Sequence, residues 1–127
     1  MKTILVDAIN CFVIEGQGVF NEMYKLLEQY PNRKIILTGA NYERMKTLGL
    51  HNMPYAVFTL EHDPEKTNPE YFISLLRHFN LQKDDVIYFE HNDEAVKSAQ
   101  SVGINTYHYN HEKQDLSALR DFLDKNL

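Results

Sequence analysis

Cysteine is nearly absent from this chain. Cys11 is the only one, so no intrachain disulfide can form, which fits a reducing compartment. Basic charge is in deficit as well. Lys and Arg number 13 against 18 Asp and Glu, a formal net charge of -5. No local basic cluster offers the electrostatic footprint of nucleic-acid binding, and an anionic surface disfavours anionic lipid. Long apolar runs are missing: none approaches the roughly 20 residues that span a bilayer. The opening Met1-Lys2-Thr3-Ile4-Leu5-Val6-Asp7 ends its short apolar stretch in a charge, unlike a signal peptide with its longer apolar region and small-residue cleavage site. Repeats, low-complexity tracts and linkers are also absent. These absences lead to the expectation of a cytoplasmic protein with one domain over residues 1–127, partnered by neither nucleic acid nor membrane.

What is present is a core-forming composition, 43% hydrophobic with eight Tyr and seven Phe. Five short apolar, β-branched-rich runs stand out: Thr3 to Val6, Lys34 to Leu37, Tyr55 to Thr59, Val86 to Phe89 and Ile104 to Tyr107. Most are continuous rather than alternating, as in strands buried on both faces of a parallel sheet. Between them, apolar residues recur at helical spacing over Asn21 to Tyr30, Pro69 to Phe79, Asp93 to Val102 and Asp115 to Lys125. Asn68 and Pro69 form a start signal for the second of these, and Gly103 a stop signal for the third. Strands alternating with helices predict an α/β fold, a doubly wound and mostly parallel five-stranded sheet flanked by helices. Cys11 to Phe20 breaks the alternation. Gly16 and Gly18 between β-formers predict a small hairpin or flap beside the end of the first strand.

Ligands of open α/β sheets bind outside the carboxyl ends of the strands, where strand order reverses. Strand one ends in Asp7, strand two in Thr38-Gly39 and strand four in Glu90-His91, while Lys66 precedes the helix that leads to strand four. Two acids at such positions can hold a divalent cation, and a lysine and a hydroxyl can bind phosphate oxygens.

These residues resemble the four motifs of the haloacid dehalogenase-like (HAD) hydrolases. Thr3-Ile4-Leu5-Val6-Asp7 is similar to the strand that ends in the nucleophile, and Ile35-Ile36-Leu37-Thr38 to the strand that ends in a hydroxyl. Lys66-Thr67-Asn68-Pro69-Glu70-Tyr71-Phe72 resembles the lysine motif. Val86-Ile87-Tyr88-Phe89-Glu90-His91, followed by Ala95, Ala99 and Gly103, resembles the acidic fourth motif. The resemblance implies a Rossmann-like HAD core without a cap domain and a Mg²⁺-dependent phosphatase. Asp7 would attack phosphorus to form an aspartyl-phosphate, Thr38 and Lys66 would orient the phosphoryl group, and Asp7, Glu90 and the Ile9 carbonyl would hold Mg²⁺. The substrate would be a phosphorylated compound of unspecified identity. Capless members tend to act on large substrates or to assemble into oligomers, which leaves room for a homodimer.

Two positions depart from the pattern. The family's general acid/base lies two residues after the nucleophile, where this chain has Ile9. A positioned acid/base is typically worth about 10²–10⁴ in rate, so turnover is expected to be slow. The usual Asp-Asp pair of the fourth motif is Glu90-His91, and His91 supplies no negative charge. The rival reading is therefore a catalytically inactive HAD-like binding or regulatory module. A receiver-like domain ranks third, since the acid pair expected near its N-terminus is missing. His108 and His111 lack a Cys or acid to complete a zinc set, and Cys11, with no His partner evident, reads as a small buried residue.

Overall fold

The central strand is the most apolar piece of the chain and the most thoroughly covered. In the computed structural model, which describes residues 1–127, β1 (Thr3–Asp7) has every residue buried. Its parallel neighbours are β4 (Lys34–Leu37) and β6 (Val86–Glu90), also buried throughout. The flanking positions go to the shorter β5 (Ala56–Phe58) and β7 (Asn105–His108), giving the order β5-β4-β1-β6-β7 with every pairing parallel. The expected parallel sheet is thus fully parallel.

Successive side chains of a strand point to opposite faces, and the sequence uses both. Ile4, Val6, Ile36, Ile87 and Phe89 face one core with Met23, Leu26 and Leu27 of α1 (Asn21–Leu27) and Leu119 and Leu123 of α5 (Leu116–Asn126). Leu5, Ile35, Leu37, Val86 and Tyr88 face the other, with Tyr71, Phe72 and Leu75 of α3 (Glu70–His78) and Ala99 of α4 (Asp93–Ser101). Neither place where a cap could be inserted holds one. The first is filled by a hairpin and α1, the second by the short α2 (Tyr42–Thr47) and β5.

The flap is the antiparallel hairpin of β2 (Val13–Ile14) and β3 (Gly18–Val19). Gly16 and Gly18 turn it with φ of +80° and +83°, a conformation that costs glycine little. Its base is anchored by Phe12, whose ring meets those of Tyr24 and Tyr55. Its tip is latched to α2, where Arg44 Nη2 donates to both carboxylate oxygens of Glu15 at 2.6 and 2.8 Å.

Expected boundaries shift where tertiary context is weakest. The helix expected to reach Tyr30 ends at Leu27, and the next residues continue as a hydrogen-bonded turn. The last strand is displaced one residue toward the C-terminus, to 105–108, because it is an edge strand with only one neighbour to set its limits. The N-cap of α3 is Pro69 rather than the expected Asn68, whose Oδ1 nevertheless accepts from Glu70 N at 3.0 Å.

Tyr71 ties α3 to the ends of two strands. Its buried hydroxyl donates to the Thr38 carbonyl at 2.7 Å and lies 3.2 Å from that of Phe58. Tyr71→Phe is expected to cost about 1–3 kcal/mol, since it removes the donor from a buried acceptor. Urea unfolding should show a lower midpoint at unchanged slope.

Candidate active site

Strand order reverses at β1, with β4 on one side and β6 on the other, and the carboxyl ends of these three strands open into a cleft of about 430 Å³. Asp7, Thr38, Lys66 and Glu90 all line it, as does Ile9. The register of β1 on β6 pairs Val6 with Phe89, so the next residues, Asp7 and Glu90, finish adjacent strands side by side. Both acids are buried, their side chains 2% and 1% exposed.

Lys66 comes to them from the loop ahead of α3. Hydrogen bonds from Asp63 N to Leu60 O and from Asn68 N to Glu65 O fold that loop tightly on either side of it. Its ammonium donates to Asp7 Oδ1 at 2.7 Å and to Glu90 Oε1 at 3.0 Å, and its side chain is only 13% exposed. Read in isolation, a lysine in a polar loop is usually solvated; here it is held between two carboxylates. Thr38 Oγ1 accepts from Ala40 N at 3.1 Å, which shapes the turn after β4 and leaves the hydroxyl proton for another acceptor.

The second oxygen of each acid meets groups to which the sequence reading gave no role at the site. His91 donates its backbone N–H to Asp7 Oδ2 at 3.1 Å, and its ring Nδ1 contacts that same oxygen. Nδ1 also lies 3.2 Å from Glu90 Oε2. Cys11 Sγ donates to Asp7 Oδ2 at 3.4 Å. The chain reverses directly after β1, with Phe12 N and Val13 N both bonded to Ala8 O at 2.9 Å, and this turn returns Cys11 to the aspartate. Tyr88, on the same face of β6 as Glu90, donates its hydroxyl to Glu90 Oε1. The signals were available: Cys11 is four residues from Asp7, and His91 directly follows Glu90.

Burial and charge set the protonation states. For Glu90, burial pushes upward, but the Lys66 ammonium and hydrogen bonds from His91 and Tyr88 outweigh it, holding the carboxyl well below its ordinary range. Burial and the neighbouring Glu90 charge push Asp7 upward. Burial opposes a charged His91, yet its bonds to Asp7 and Glu90 prevail and raise it to about 9. Burial, then the charges of Asp7 and Glu90, raise Cys11, so without a cation it is a neutral thiol and a poor nucleophile.

No family model matches the sequence, and no curated protein matches it. Solved structures do. A HAD-family enzyme from Bacteroides thetaiotaomicron, an aspartate-to-alanine mutant in complex with magnesium and inorganic phosphate, superposes with a TM-score of 0.68 at 12% identity, over 87% of this chain and 95% of that one. A hydrolase from Streptococcus pneumoniae gives 0.67 at 20% identity, over 87% of this chain and 59% of its own. A HAD-superfamily hydrolase of subfamily IA from Geobacter sulfurreducens gives 0.61 at 11% identity, over 94% and 96%. The chain has the HAD-like fold, and no helix in it is long and apolar enough to cross a membrane.

Magnesium, the ion of the first of these neighbours, takes oxygen ligands in near-octahedral geometry at about 2.0–2.1 Å. Asp7 and Glu90 offer such oxygens beside Ile9, so the acids suit a divalent cation. Nitrogen and sulfur of His91 and Cys11 stand at the same oxygen of Asp7.

Removing Lys66 would leave two buried carboxylates facing each other. Lys66→Met is expected to destabilise the fold by about 3–5 kcal/mol. Both acids would then titrate higher in the folded than in the unfolded chain, so protonation favours the folded state. The deficit should therefore shrink as pH is lowered toward about 5. Urea unfolding at several pH values checks both the size and the sign.

Proposed function

We propose that this chain is a HAD-type hydrolase of phosphate monoesters with Asp7 as nucleophile and slow turnover. The observation that supports it is the convergence of Asp7, Thr38, Lys66 and Glu90, from four separate elements, on one cleft at the strand-order reversal. Asp7 Oδ2 is engaged by Cys11 and His91, which leaves Oδ1, held by Lys66, as the attacking atom. Its lone pair forms the bond to phosphorus as the ester P–O bond breaks, giving an aspartyl-phosphate and an alkoxide or phenoxide. Lys66 screens the approach of one anion to another, and the Thr38 hydroxyl donates to a phosphoryl oxygen. A divalent cation held by Asp7, Glu90 and the Ile9 carbonyl would neutralise charge on the phosphoryl group.

The leaving oxygen takes its proton from solvent, because Ile9 has none to give. Substrates with good leaving groups are therefore favoured, and water then hydrolyses the acyl phosphate without a general base. The open, capless cleft places no lid over a large substrate.

One observation favours the rival reading, a non-catalytic binding or regulatory module. Asp7 is already contacted by four donor groups, from Lys66, Cys11 and the backbone and ring of His91.

Turnover of an aryl phosphate separates the two. Asp7→Asn should abolish the activity and the trapped phosphoenzyme. Ile9→Asp, which places a carboxyl in the cleft, should raise the rate by about 10²–10⁴. If a folded Ile9→Asp protein gains nothing and no Asp7-dependent phosphoenzyme forms, the hydrolase reading fails and the module stands.

A further inference from the structure

Three chemically different donors meet around Asp7. The Asp7 carboxylate oxygen, Cys11 Sγ and a ring nitrogen of His91 all lie within 4.8 Å of one another. Sulfur and oxygen are 3.4 Å apart, and Glu90 Oε2 stands 3.2 Å from the ring nitrogen. In a tetrahedral zinc site, with bonds of about 2.3 Å to sulfur and about 2.0–2.2 Å to nitrogen and oxygen, neighbouring ligand atoms are roughly 3.3–3.6 Å apart. The sulfur and the oxygen already have that spacing, whereas the His91 ring nitrogen touches the Asp7 oxygen directly, so an entering ion would replace that contact and part the two. Thiolate and imidazole are ligands that zinc prefers and magnesium does not.

We propose that the cation site of this chain takes a zinc-like first-row divalent ion, ligated by Asp7, Cys11 and His91. This rests on the reading that a divalent cation serves the cleft, and it changes the identity of that cation from what the fold would imply.

The test uses the whole metal-free protein titrated with Zn²⁺, with Co²⁺ as its spectroscopic stand-in and with Mg²⁺, the first and last followed by calorimetry. One equivalent of Zn²⁺ should bind with release of the Cys11 thiol proton. Co²⁺ should give tetrahedral d–d bands and a thiolate-to-cobalt charge-transfer band, the latter absent in Cys11→Ser. His91→Ala should weaken Zn²⁺ more than about 100-fold, beyond the effect of an outer-shell contact. His108→Ala with His111→Ala, which touch His91 only through its carbonyl and its ring, should weaken Zn²⁺ far less than His91→Ala does, and Mg²⁺ should not compete. Circular dichroism of Cys11→Ser and Cys11→Ala checks that the variants fold.

A cobalt spectrum without the thiolate band, zinc binding lost only with His108 and His111, Mg²⁺ binding tighter than Zn²⁺, or no metal binding at all would each overturn the proposal. The hydrolase reading fails separately. Asp7-dependent turnover supported by Mg²⁺ and intact in Cys11→Ser would sink the zinc site and keep the enzyme. A thiolate band with no turnover under any metal would do the reverse.

Discussion

The ion trio of Lys66, Asp7 and Glu90 is the constraint on which the functional end of this molecule depends. Two acids at the ends of adjacent parallel strands stand about one strand spacing apart, roughly 4.8 Å. Buried as they are, they repel unless a cation lies between them. The Lys66 ammonium does so, 2.7 Å from one and 3.0 Å from the other. The loop from 60 to 69 must therefore pack over the strand ends. There its neighbours also approach closely: a Cβ added at Gly39 would meet Glu65 at 3.4 Å. The arrangement serves folding and chemistry together, since the charge that makes the acids tolerable would also receive a phosphoryl group.

Much of this was legible in the sequence, for identifiable reasons. Thr3 to Asp7 reads as a buried parallel strand because Ile4, Leu5 and Val6 are apolar on both faces, and both faces are covered. Asp7, Thr38 and Glu90 could be located because a strand's last residue has a fixed place once the sheet is parallel. Lys66 was recognisable only through the motif around it, since nothing local to a lysine in a loop says which charges it will meet. Cys11 and His91 were not legible as a pair. They are 80 residues apart, and their meeting depends on the β1–β6 register and on the turn at Ala8 to Val13. His91, which sequence reading counted as a loss of negative charge, and Cys11, which it read as a small buried residue, both became partners of Asp7 once the strands were aligned.

The flap shows a similar division. Its glycines announced a hairpin, but its anchoring did not follow from them. Phe12 seats the base among Tyr24 and Tyr55, and Glu15 reaches Arg44 at the cleft rim. The base is held by aromatic packing, while the tip depends on an exposed ion pair worth at most about 1 kcal/mol. The two ends of one short element thus have very different persistence, and it is the weaker end that borders the cleft.

The order of strands carries a consequence for biosynthesis. The central strand leaves the ribosome first, and one flank is filled early by residues 34–37. The other flank waits for residues 86–90. Until then an apolar strand presents an open edge, the kind of surface that recruits other chains. That edge stays open for as long as the chain between residues 37 and 86 is being made. The strand that closes the edge also brings Glu90 and His91, so the polypeptide gains its protection from aggregation and its candidate active site in the same step.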